Sequence, residues 1–552
     1  MSCISSLRRR VSALPAESFA QTLIPLGALG LTILVALVPL IAILVLLSIF
    51  RITAWLSSLI AGIITLVLAV LVWGAPLRGA LAAYALGSLQ GMWSVDWIIL
   101  WGVVIFNTLV VTGNFERFKA WILDQATPDI RIQVILLAWS FGALLEGLVG
   151  FGFPWSVVVP ILISIGIVDL EAIRVAALAN NAPVSYGALG APIIALAGVT
   201  GLPLLELSRS VGFIVAALAL LPPWVLLYLV SGRQGLKEAW PLAIVASFSY
   251  IAGQLPVAAF LGPYLPDLTG AMVSFWVIFL FIKVWRPKVL RGFGGKVLEK
   301  AAISTAGPRS SARDGWMAWL PYIVLIVVVV AWTGPWSALT SIRLWHQQVV
   351  AQSSVTAGNV AAAFNFTPLS GGTAILASWL ILLAILRPSR AHIGQVFIRT
   401  FRQIWGALIV SFLMFGLAFV FNYSGMASSL AYGFSRVGVW FIVLAPVLGW
   451  VGVALSGSNT STNTMFGAIQ ALTGRLLGMP PLLLPSLNSV GSEVGKPIAP
   501  QTASVGVSTS SFVRNEGEVI RHNMGWTLIF LAFLILIGLL YYFIFPGVME
   551  PR

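Results

Sequence analysis

A cluster of small polar side chains lies within an otherwise apolar part of the sequence. The letters SNTSTNT cover residues 458–464, inside a stretch from Val437 to Gly474 that carries no acidic residue and is otherwise mostly apolar. Asn, Ser and Thr can bind a ligand, or can replace backbone hydrogen bonds where a helix is interrupted. Close helix packing through small residues is the alternative, but it would account for two or three of them only. The cluster therefore predicts an unwound segment that holds a ligand.

Three other apolar segments are interrupted in a similar way. Their letters are EGLVGFGFPWSVVVP at 146–160, ANNAPVSYGALGAPI at 179–193 and NSVGSEVGKPIAPQT at 488–502. Irregular backbone at membrane depth is tolerated only inside protein or beside a water-filled cavity. Interrupted apolar segments at matching points of two halves indicate the binding site of a transporter, and the N-termini of half-helices attract anions. The four interruptions together predict a central site for a small anion.

Two isolated charges lie in these segments. Glu146 is the only formal charge between Gln133 and Val168, and a lone carboxylate inside a membrane is a candidate functional group by default. Burial favours its neutral form, which suits proton coupling; the alternative is a structural partner for a buried cation. Lys496 could form an ion pair with Glu493 three residues earlier, or could neutralise a bound carboxylate while Glu493 serves as its resting counter-ion.

The remaining charges and the metal-binding residue types suggest no further site. Six charged residues flank apolar runs and are expected at the membrane interface: Asp96, Asp169, Glu171, Arg174, Glu206 and Arg209. Cys3 is the single cysteine, and the three histidines are far apart in sequence. Neither a Cys-based metal site nor any cofactor is therefore expected.

The composition is that of an integral membrane protein. The chain has 552 residues, of which 59% are hydrophobic and 9% charged, whereas soluble domains carry about 25% charged residues. Long apolar runs rather than short alternating segments exclude an outer-membrane barrel. Runs near twenty residues predict about 12–14 transmembrane helices, and segments 134–168, 172–204 and 464–512 are too long or too interrupted to be single helices, which adds half-helices.

A basic stretch divides the chain. Within 283–315, Glu299 and Asp314 are outnumbered by eight cations: Lys283, Arg286, Lys288, Arg291, Lys296, Lys300, Arg309 and Arg313. The positive-inside rule places such a loop in the cytoplasm and residues 262–270 outside, so the net charge of +14 does not indicate nucleic acid. We expect an N-terminal half at 1–282 with broken segments at 134–204, a flexible cytoplasmic linker at 283–315, and a C-terminal half at 316–552 with broken segments at 456–512.

The N-terminus carries Arg8, Arg9 and Arg10 ahead of an apolar run from Leu23 to Phe50. That run is longer than the core of a signal peptide, and no clear cleavage site follows it. We expect a retained first helix and a cytoplasmic N-terminus.

Four motifs resemble the bacterial L-lactate permease family. They are EGLVGFGFPWSVVVPILISIG, NNAPVSYGALGAPI, SGSNTSTNTMFGAIQAL and GKPIAPQTAS, and they occur in both halves. The resemblance implies an all-α polytopic membrane protein whose two inverted halves place re-entrant or broken helices around a central site, with an elevator-like transport domain. It implies a secondary active transporter of the bacterial inner membrane that imports lactate or glycolate with protons.

The resemblance also implies the residues of the site. Glu146 would couple protons, and the substrate would be bound by Gly150 and Gly152 around Phe151, and by Asn180, Asn181, Ser185, Ser458, Asn459, Thr460, Asn463, Lys496 and Gln501. The expected partners are the carboxylate substrate, protons, the lipid bilayer and a second copy of the chain in a homodimer.

Two alternatives remain open. Hydroxyls and unwound carbonyls could hold sodium, which would make the chain a sodium-coupled carrier of other small organic anions such as dicarboxylates or sulfonates. A membrane enzyme would need a clustered catalytic set, and no such set is evident. A P-loop motif is absent from the sequence, which leaves ATP-driven transport without support.

Overall fold

A computed structural model describes residues 19–125, 127–150, 152–298, 312–356, 358–510 and 515–552, apart from the side chains of 124, 125 and 312–314. The predictions that concern Arg8–Arg10, Phe151 and the second part of the basic linker lie outside the described residues.

The described chain is predominantly helical, with one small sheet. The first eleven helices are α1 (Leu29–Ser48), α2 (Ala54–Leu71), α3 (Leu77–Val111), α4 (Asn114–Gln125), α5 (Ile130–Leu148), α6 (Phe153–Ser164), α7 (Asp169–Ala179), α8 (Gly187–Thr200), α9 (Leu204–Leu218), α10 (Pro222–Phe260) and α11 (Pro266–Val284). The others are α12 (Ala312–Thr333), α13 (Gly371–Leu386), α14 (Arg390–Ser424), α15 (Met426–Ser435), α16 (Phe441–Ser456), α17 (Asn459–Leu476), α18 (Leu483–Gly495), α19 (Pro500–Ser508) and α20 (Glu516–Phe543). The strands are β1 (Phe19–Ala20), β2 (Trp345–Gln352) and β3 (Asn359–Phe366).

Many of these helices are long enough to cross a bilayer. Among the described residues, ten helical segments have the length and apolarity of a membrane span, or eleven if the bent pair α7 and α8 forms one span. Apolar side chains such as Leu34 and Ile41 of α1 are exposed, as expected for a surface in contact with lipid. The all-α polytopic fold is confirmed.

The larger predicted number of helices has three sources. The prediction counted the broken segments, and it divided Leu204–Phe260, which forms one segment of 57 residues. It also counted α13, whose 16 residues are too few for the ten spans. The segment Leu204–Phe260 changes direction at Gly232, whose φ is +66° and ψ is −172°. A Cβ atom at Gly212 would lie 2.8 Å from the Ala258 Cβ, so the two parts pack side by side.

The sheet was not predicted. Strand β1 is parallel to β2, and β2 is antiparallel to β3. The apolar run that begins near residue 361 is therefore not helical at its start, because residues up to Phe366 belong to β3 and the helix begins at Gly371. Alternate residues of β3, including Ala362 and Phe364, are buried, which is the two-residue period of a strand.

The sheet and the basic linker lie at opposite ends of the helices. Helix α12 has 22 residues and so a length of about 33 Å; the linker precedes it and β2 follows it. We call these ends the linker face and the sheet face. Because Phe19 pairs with Ala351, the chain enters α1 from the sheet face. The prediction that the linker and the start of the first helix lie on one side is therefore wrong.

Helices α5 and α6 form one helical hairpin, and α16 and α17 form another. We call them hairpin A (residues 130–164) and hairpin B (residues 441–476). Their arms are antiparallel: Gly142 lies opposite Val158 in hairpin A, and the Gln470 amide donates to the Ala445 carbonyl in hairpin B.

The two hairpins enter the molecule from opposite faces. The base of hairpin A is at the linker face, where the Arg291 backbone N–H donates to Asp129 at 3.1 Å. The base of hairpin B is at the sheet face, where Arg475 and Asn359 line the same cavity. The hairpins are therefore inverted relative to each other.

The two broken helices are inverted in the same way. The pair α7 and α8 is bent by 68° and ends at Thr200, which lines a cavity with Asn359 of the sheet face. The pair α18 and α19 runs the other way, and Gln501 of α19 shares a cavity with Trp405, near the basic end of α14. The predicted arrangement of two inverted halves with broken helices is therefore present.

The first part of the basic linker packs against the helices through ion pairs. Arg131 donates to Asp129 at 2.6 Å and to Glu238 at 3.1 Å. Arg291 of the linker donates to the other oxygen of Glu238 at 2.7 Å. The side chains of Arg131 and Asp129 are completely buried. This network attaches the linker to hairpin A and α10.

Replacing Arg131 by Met should strongly destabilise the protein. The change leaves the Asp129 carboxylate buried without its cation, and removing one member of a buried ion pair costs about 3–5 kcal/mol. The measurement is thermal unfolding of the purified protein in detergent. Lys119→Met is the matched control, because Lys119 pairs with a largely exposed Glu116 and such surface pairs contribute about 0–1 kcal/mol. Equal melting temperatures for the two variants would contradict the structural role of the network.

Candidate functional site

The tips of the two hairpins lie close to α19. Gly457, at the tip of hairpin B, has a φ of +71°, and a Cβ atom there would lie 2.4 Å from the Gln501 side chain. Gly152, at the tip of hairpin A, has a φ of +74°, and a Cβ atom there would lie 3.0 Å from Thr502. Glycine therefore permits both the left-handed turns and the close approach.

The SNTSTNT cluster forms the start of α17. Ser458 is the N-cap, and its hydroxyl accepts a hydrogen bond from the Ser461 N–H at 3.2 Å. The hydroxyls of Thr462 and Thr464 donate to carbonyls one turn earlier, those of Ser458 and Thr460. The first turn of a helix has unpaired N–H groups and a partial positive charge. Thr462 and Thr464 thus donate hydrogen bonds to backbone carbonyls near the interruption. The first turn of α17 itself favours the binding of an anion.

Two isolated charges of the sequence form one ion pair. The Lys496 ammonium lies 2.6 Å from a carboxylate oxygen of Glu146, and both side chains are almost fully buried. The second carboxylate oxygen of Glu146 accepts a hydrogen bond from the Asn180 amide at 3.0 Å. Lys496 comes from the break between α18 and α19 and Glu146 from the tip of hairpin A, so the pair joins the two halves.

Glu493 does not pair with Lys496. One of its carboxylate oxygens accepts the Ser185 backbone N–H at 2.5 Å, and the other has no hydrogen-bond partner in the described chain. The Ser185 hydroxyl is 3.1 Å from that of Ser489. The two broken helices therefore meet through Ser185, and the counter-ion of Lys496 is Glu146 rather than its neighbour in sequence.

A buried amide network holds hairpin B against both broken helices. The Asn463 amide donates to the Pro192 carbonyl and to the Ser489 hydroxyl, both at 3.0 Å. Its oxygen accepts from the Asn488 amide at 3.1 Å. The Asn459 amide donates to the Ser489 carbonyl at 3.2 Å. Buried polar groups that are satisfied in this way fix the relative positions of the elements that carry them.

A small cavity lies between the ion pair and the start of α17. Its volume is about 30 Å³, and it is lined by Glu146, Gly150, Val184, Gly187, Ala188, Pro192, Gly457, Ser458, Asn459, Thr460 and Lys496. A larger cavity of about 410 Å³ shares Gly457, Ser458 and Thr460 with it and extends along α14 to Trp405. The ion pair therefore lies next to a passage on the side of the linker face.

Another large cavity lies at the sheet face. Its volume is about 450 Å³, and Trp93, Tyr264 and Ser370 are among its lining residues. It shares no lining residue with the small cavity among the described residues. The described conformation is thus more open to the linker face than to the sheet face.

The structure brings together most of the residues that were predicted for the site. Six line the small cavity: Glu146, Gly150, Ser458, Asn459, Thr460 and Lys496. Asn180 and Ser185 contact this group directly. Gly152 and Gln501 lie at the hairpin tips, and Gln501 is exposed.

The other two predicted residues have different surroundings. The Asn463 amide is occupied by protein partners, which gives it a positioning role, and Asn181 is buried with no hydrogen-bond partner for its side chain in the described chain.

Several buried polar residues near the site were not predicted. Ser489, Asn488 and Gln470 belong to the network that contacts hairpin B. A run of polar residues with helical spacing in 486–493 was the available signal. Asp267 directly follows Pro266 at the start of α11 and is fully buried, although it lies in the segment 262–270 that was expected outside the membrane.

The charged residues that were expected at the membrane interface fall into two groups. Arg174 pairs with Glu171 at 3.1 Å, and both are partly exposed. Arg209 pairs with Glu206. Asp96 is different, because only 5% of its surface is exposed and it ends a π-helical turn within α3. The prediction of an interfacial Asp96 is therefore wrong, since the turn directs it into the protein.

The sequence is similar to one protein family over nearly its whole length. Residues 32–545 match the family model described as L-lactate permease. The glycolate permease GlcA of Escherichia coli (strain K12) is 35% identical, with 96% of this chain and 99% of that protein covered. An L-lactate permease of Bacillus subtilis (strain 168) is 32% identical over the same shares of the two chains.

Solved structures show a weaker similarity. The YdaH transporter of Alcanivorax borkumensis has a TM-score of 0.46 and 15% identity, with 86% of this chain and 88% of that chain covered. The MtrF protein of Neisseria gonorrhoeae has a TM-score of 0.46 and 13% identity, with 86% of each chain covered.

The family match includes both hairpins and both broken helices. The family and the relatives named above are permeases, so the protein is a multi-pass membrane transporter rather than an enzyme. The chain belongs to the L-lactate permease family.

Proposed function

We propose that the protein is a proton symporter that imports small 2-hydroxymonocarboxylates such as lactate and glycolate. The observation that carries this proposal is the buried ion pair between Lys496 and Glu146 beside the cavity at the hairpin tips. The names of the relatives, glycolate permease and L-lactate permease, support the substrate class.

The carboxylate of the substrate binds to Lys496 and to the first turn of α17. Both groups line the same small cavity, and both attract a negative charge. The side chains of Asn459 and Thr460 also line this cavity and are available to the hydroxyl group on carbon 2.

Proton coupling follows from an exchange of partners at Lys496. When Glu146 is ionised, it occupies Lys496 and excludes the substrate. When Glu146 takes up a proton, Lys496 needs a new counter-ion, which the substrate carboxylate supplies. A proton or an anion alone would leave one buried charge uncompensated, at a cost of about 3–5 kcal/mol. The two therefore bind together, and the charge of the site does not change.

The same proposal places the protein in the bacterial inner membrane with the linker face in the cytoplasm. Four arginines at or near the start of α14 lie on the same face as the linker: Arg387, Arg390, Arg399 and Arg402. This concentration of cations agrees with the positive-inside rule. The sheet face, with Phe19, is then periplasmic. A homodimer stays a prediction.

Glu146→Gln should make substrate binding independent of pH. Glutamine imitates the protonated acid, so Lys496 is available to the anion at every pH. The affinity of the wild type for lactate should fall as the pH rises, by up to about tenfold per pH unit, the limit for one linked proton. The measurement is titration of purified protein with lactate and glycolate between about pH 6 and pH 8, a range chosen around neutrality.

The same variant should fail to accumulate substrate in proteoliposomes when a pH gradient is applied. Glu116→Gln is the matched control, because Glu116 is largely exposed on α4 and should leave both measurements unchanged. Accumulation by Glu146→Gln at the wild-type level would remove Glu146 from the coupling mechanism. Wild-type uptake that requires sodium and ignores a protonophore would contradict proton symport altogether.

Lys496→Gln should weaken the binding of lactate by at least about thirtyfold, because the loss of one partner from a buried charge pair costs about 2 kcal/mol or more. Binding is measured in the Glu146→Gln background, where no carboxylate at position 146 competes for the site. Lys237→Gln, on α10 at the linker face, is the control for a general loss of charge. If Lys496→Gln folds and binds lactate with unchanged affinity, the anion does not bind to Lys496.

A further inference from the structure

Two fully buried carboxyl groups near Glu146 remain outside the mechanism described above. Asp267 and Glu493 are both 0% exposed, and neither forms an ion pair in the described chain. Lys496 is the nearby cation, and it is paired with Glu146. Unpaired carboxylates are costly to remove from water, so the position of these two groups requires an explanation.

Asp267 lies directly against the tip of hairpin A. A Cβ atom at Gly147 would be 2.7 Å from the Asp267 Cβ, and Gly147 follows Glu146 in the chain. One Asp267 oxygen accepts a hydrogen bond from the Tyr250 hydroxyl at 3.0 Å, and the other has no hydrogen-bond partner in the described chain. Asp267 is thus held against the residue that follows Glu146, with one carboxylate oxygen free in the described chain.

Glu493 also has one carboxylate oxygen that accepts a hydrogen bond and one that is free among the described residues. One oxygen accepts the Ser185 N–H, and the other is free in the described chain. Two residues after Ser185, the Cβ position of Gly187 lies 2.7 Å from a carboxylate oxygen of Glu146. Asp267 and Glu493 therefore approach Glu146 through different contacts, Asp267 through Gly147 and Glu493 through residues 185–187.

Two buried amides in this region are also unsatisfied. The side chains of Asn181 and Gln254 are fully buried, and neither their nitrogens nor their oxygens have a hydrogen-bond partner in the described chain. The Gln254 nitrogen and the Tyr186 hydroxyl both lie within 4 Å of the Cβ position of Gly212. Tyr186 in turn follows Ser185, whose backbone N–H donates to Glu493. Buried amides normally have partners, so these atoms indicate a small polar ligand from outside the chain.

Asp267 also lies close in the chain to residues that line the large cavity of the sheet face. Pro263 and Tyr264, four and three residues before Asp267, line the large cavity of that face. The Pro263 carbonyl also packs against the break of α8, where a Cβ atom at Gly190 would lie 2.3 Å away. Asp267 therefore lies between a cavity of the sheet face and Glu146, whereas the passage described above approaches the ion pair from the linker face.

We propose that Asp267 and Glu493, with the amides of Asn181 and Gln254, form a second proton-binding site that delivers protons from the sheet face to Glu146. The free oxygen of each carboxyl group carries a proton, which removes the need for a second buried cation. Asp267 gives its proton to Glu146 and recovers one from the cavity of the sheet face, so that no charge accumulates. This inference rests on the proposed proton symport.

Asp267→Asn tests the proposal. Asparagine imitates the protonated acid and can still accept the hydrogen bond from Tyr250, so the protein should fold. Uptake of lactate driven by a pH gradient in proteoliposomes should slow by about a hundredfold, the scale of a lost proton-transfer group. Exchange of labelled for unlabelled lactate at equal pH should continue, because it needs no net proton movement. Asp267→Glu should restore proton-driven uptake in part.

Ser274→Ala, on the same helix and in contact with Ser140 instead, is the control and should leave both rates unchanged. Tyr250→Phe should shift the pH profile of uptake, because it removes the hydrogen bond to Asp267. Wild-type uptake that ignores a protonophore would reject the proposed function. Proton-driven uptake at the wild-type rate in Asp267→Asn, when the wild type responds to the protonophore, would reject the second proton site alone.

Discussion

The ion pair between Lys496 and Glu146 is the interaction on which the rest of the site depends. A single charge buried in a membrane protein is costly, and an opposite charge at 2.6 Å compensates it only while both partners remain in place. Because the two residues belong to different halves of the chain, this requirement couples the tip of hairpin A to the break between α18 and α19. A ligand that replaces Glu146 as the partner of Lys496 therefore breaks a contact between the two halves.

The second constraint is the backbone. Each break exposes N–H and carbonyl groups that cannot be left unsatisfied in a membrane. Threonine hydroxyls of hairpin B donate hydrogen bonds to carbonyls of the same hairpin. The Asn459 amide donates to the Ser489 carbonyl of α18, and the Asn463 amide donates to the Pro192 carbonyl. The same polar residues that make the breaks possible thus bind hairpin B to both broken helices, which keeps the cavity in place.

The inverted arrangement has a consequence for access. Hairpin A starts from the linker face and hairpin B from the sheet face, and their tips meet near the ion pair. The cavity of the linker face adjoins this centre, whereas the large cavity of the sheet face shares no lining residue with the small cavity in the described chain. The residues between the cavities decide which face communicates with the centre. In the described conformation, Gly457, Ser458 and Thr460 connect the small cavity with the passage along α14.

Sequence alone determined the membrane class, the four interruptions and the isolation of Glu146 and Lys496, because apolar run length, helix-breaking residues and lone charges are local properties. Only the tertiary structure decided that Lys496 pairs with Glu146, 350 residues away, rather than with Glu493. The entry of the chain from the sheet face likewise depends on the pairing of Phe19 with Ala351. Both features arise where distant segments approach each other, and local sequence patterns contain no measure of that approach.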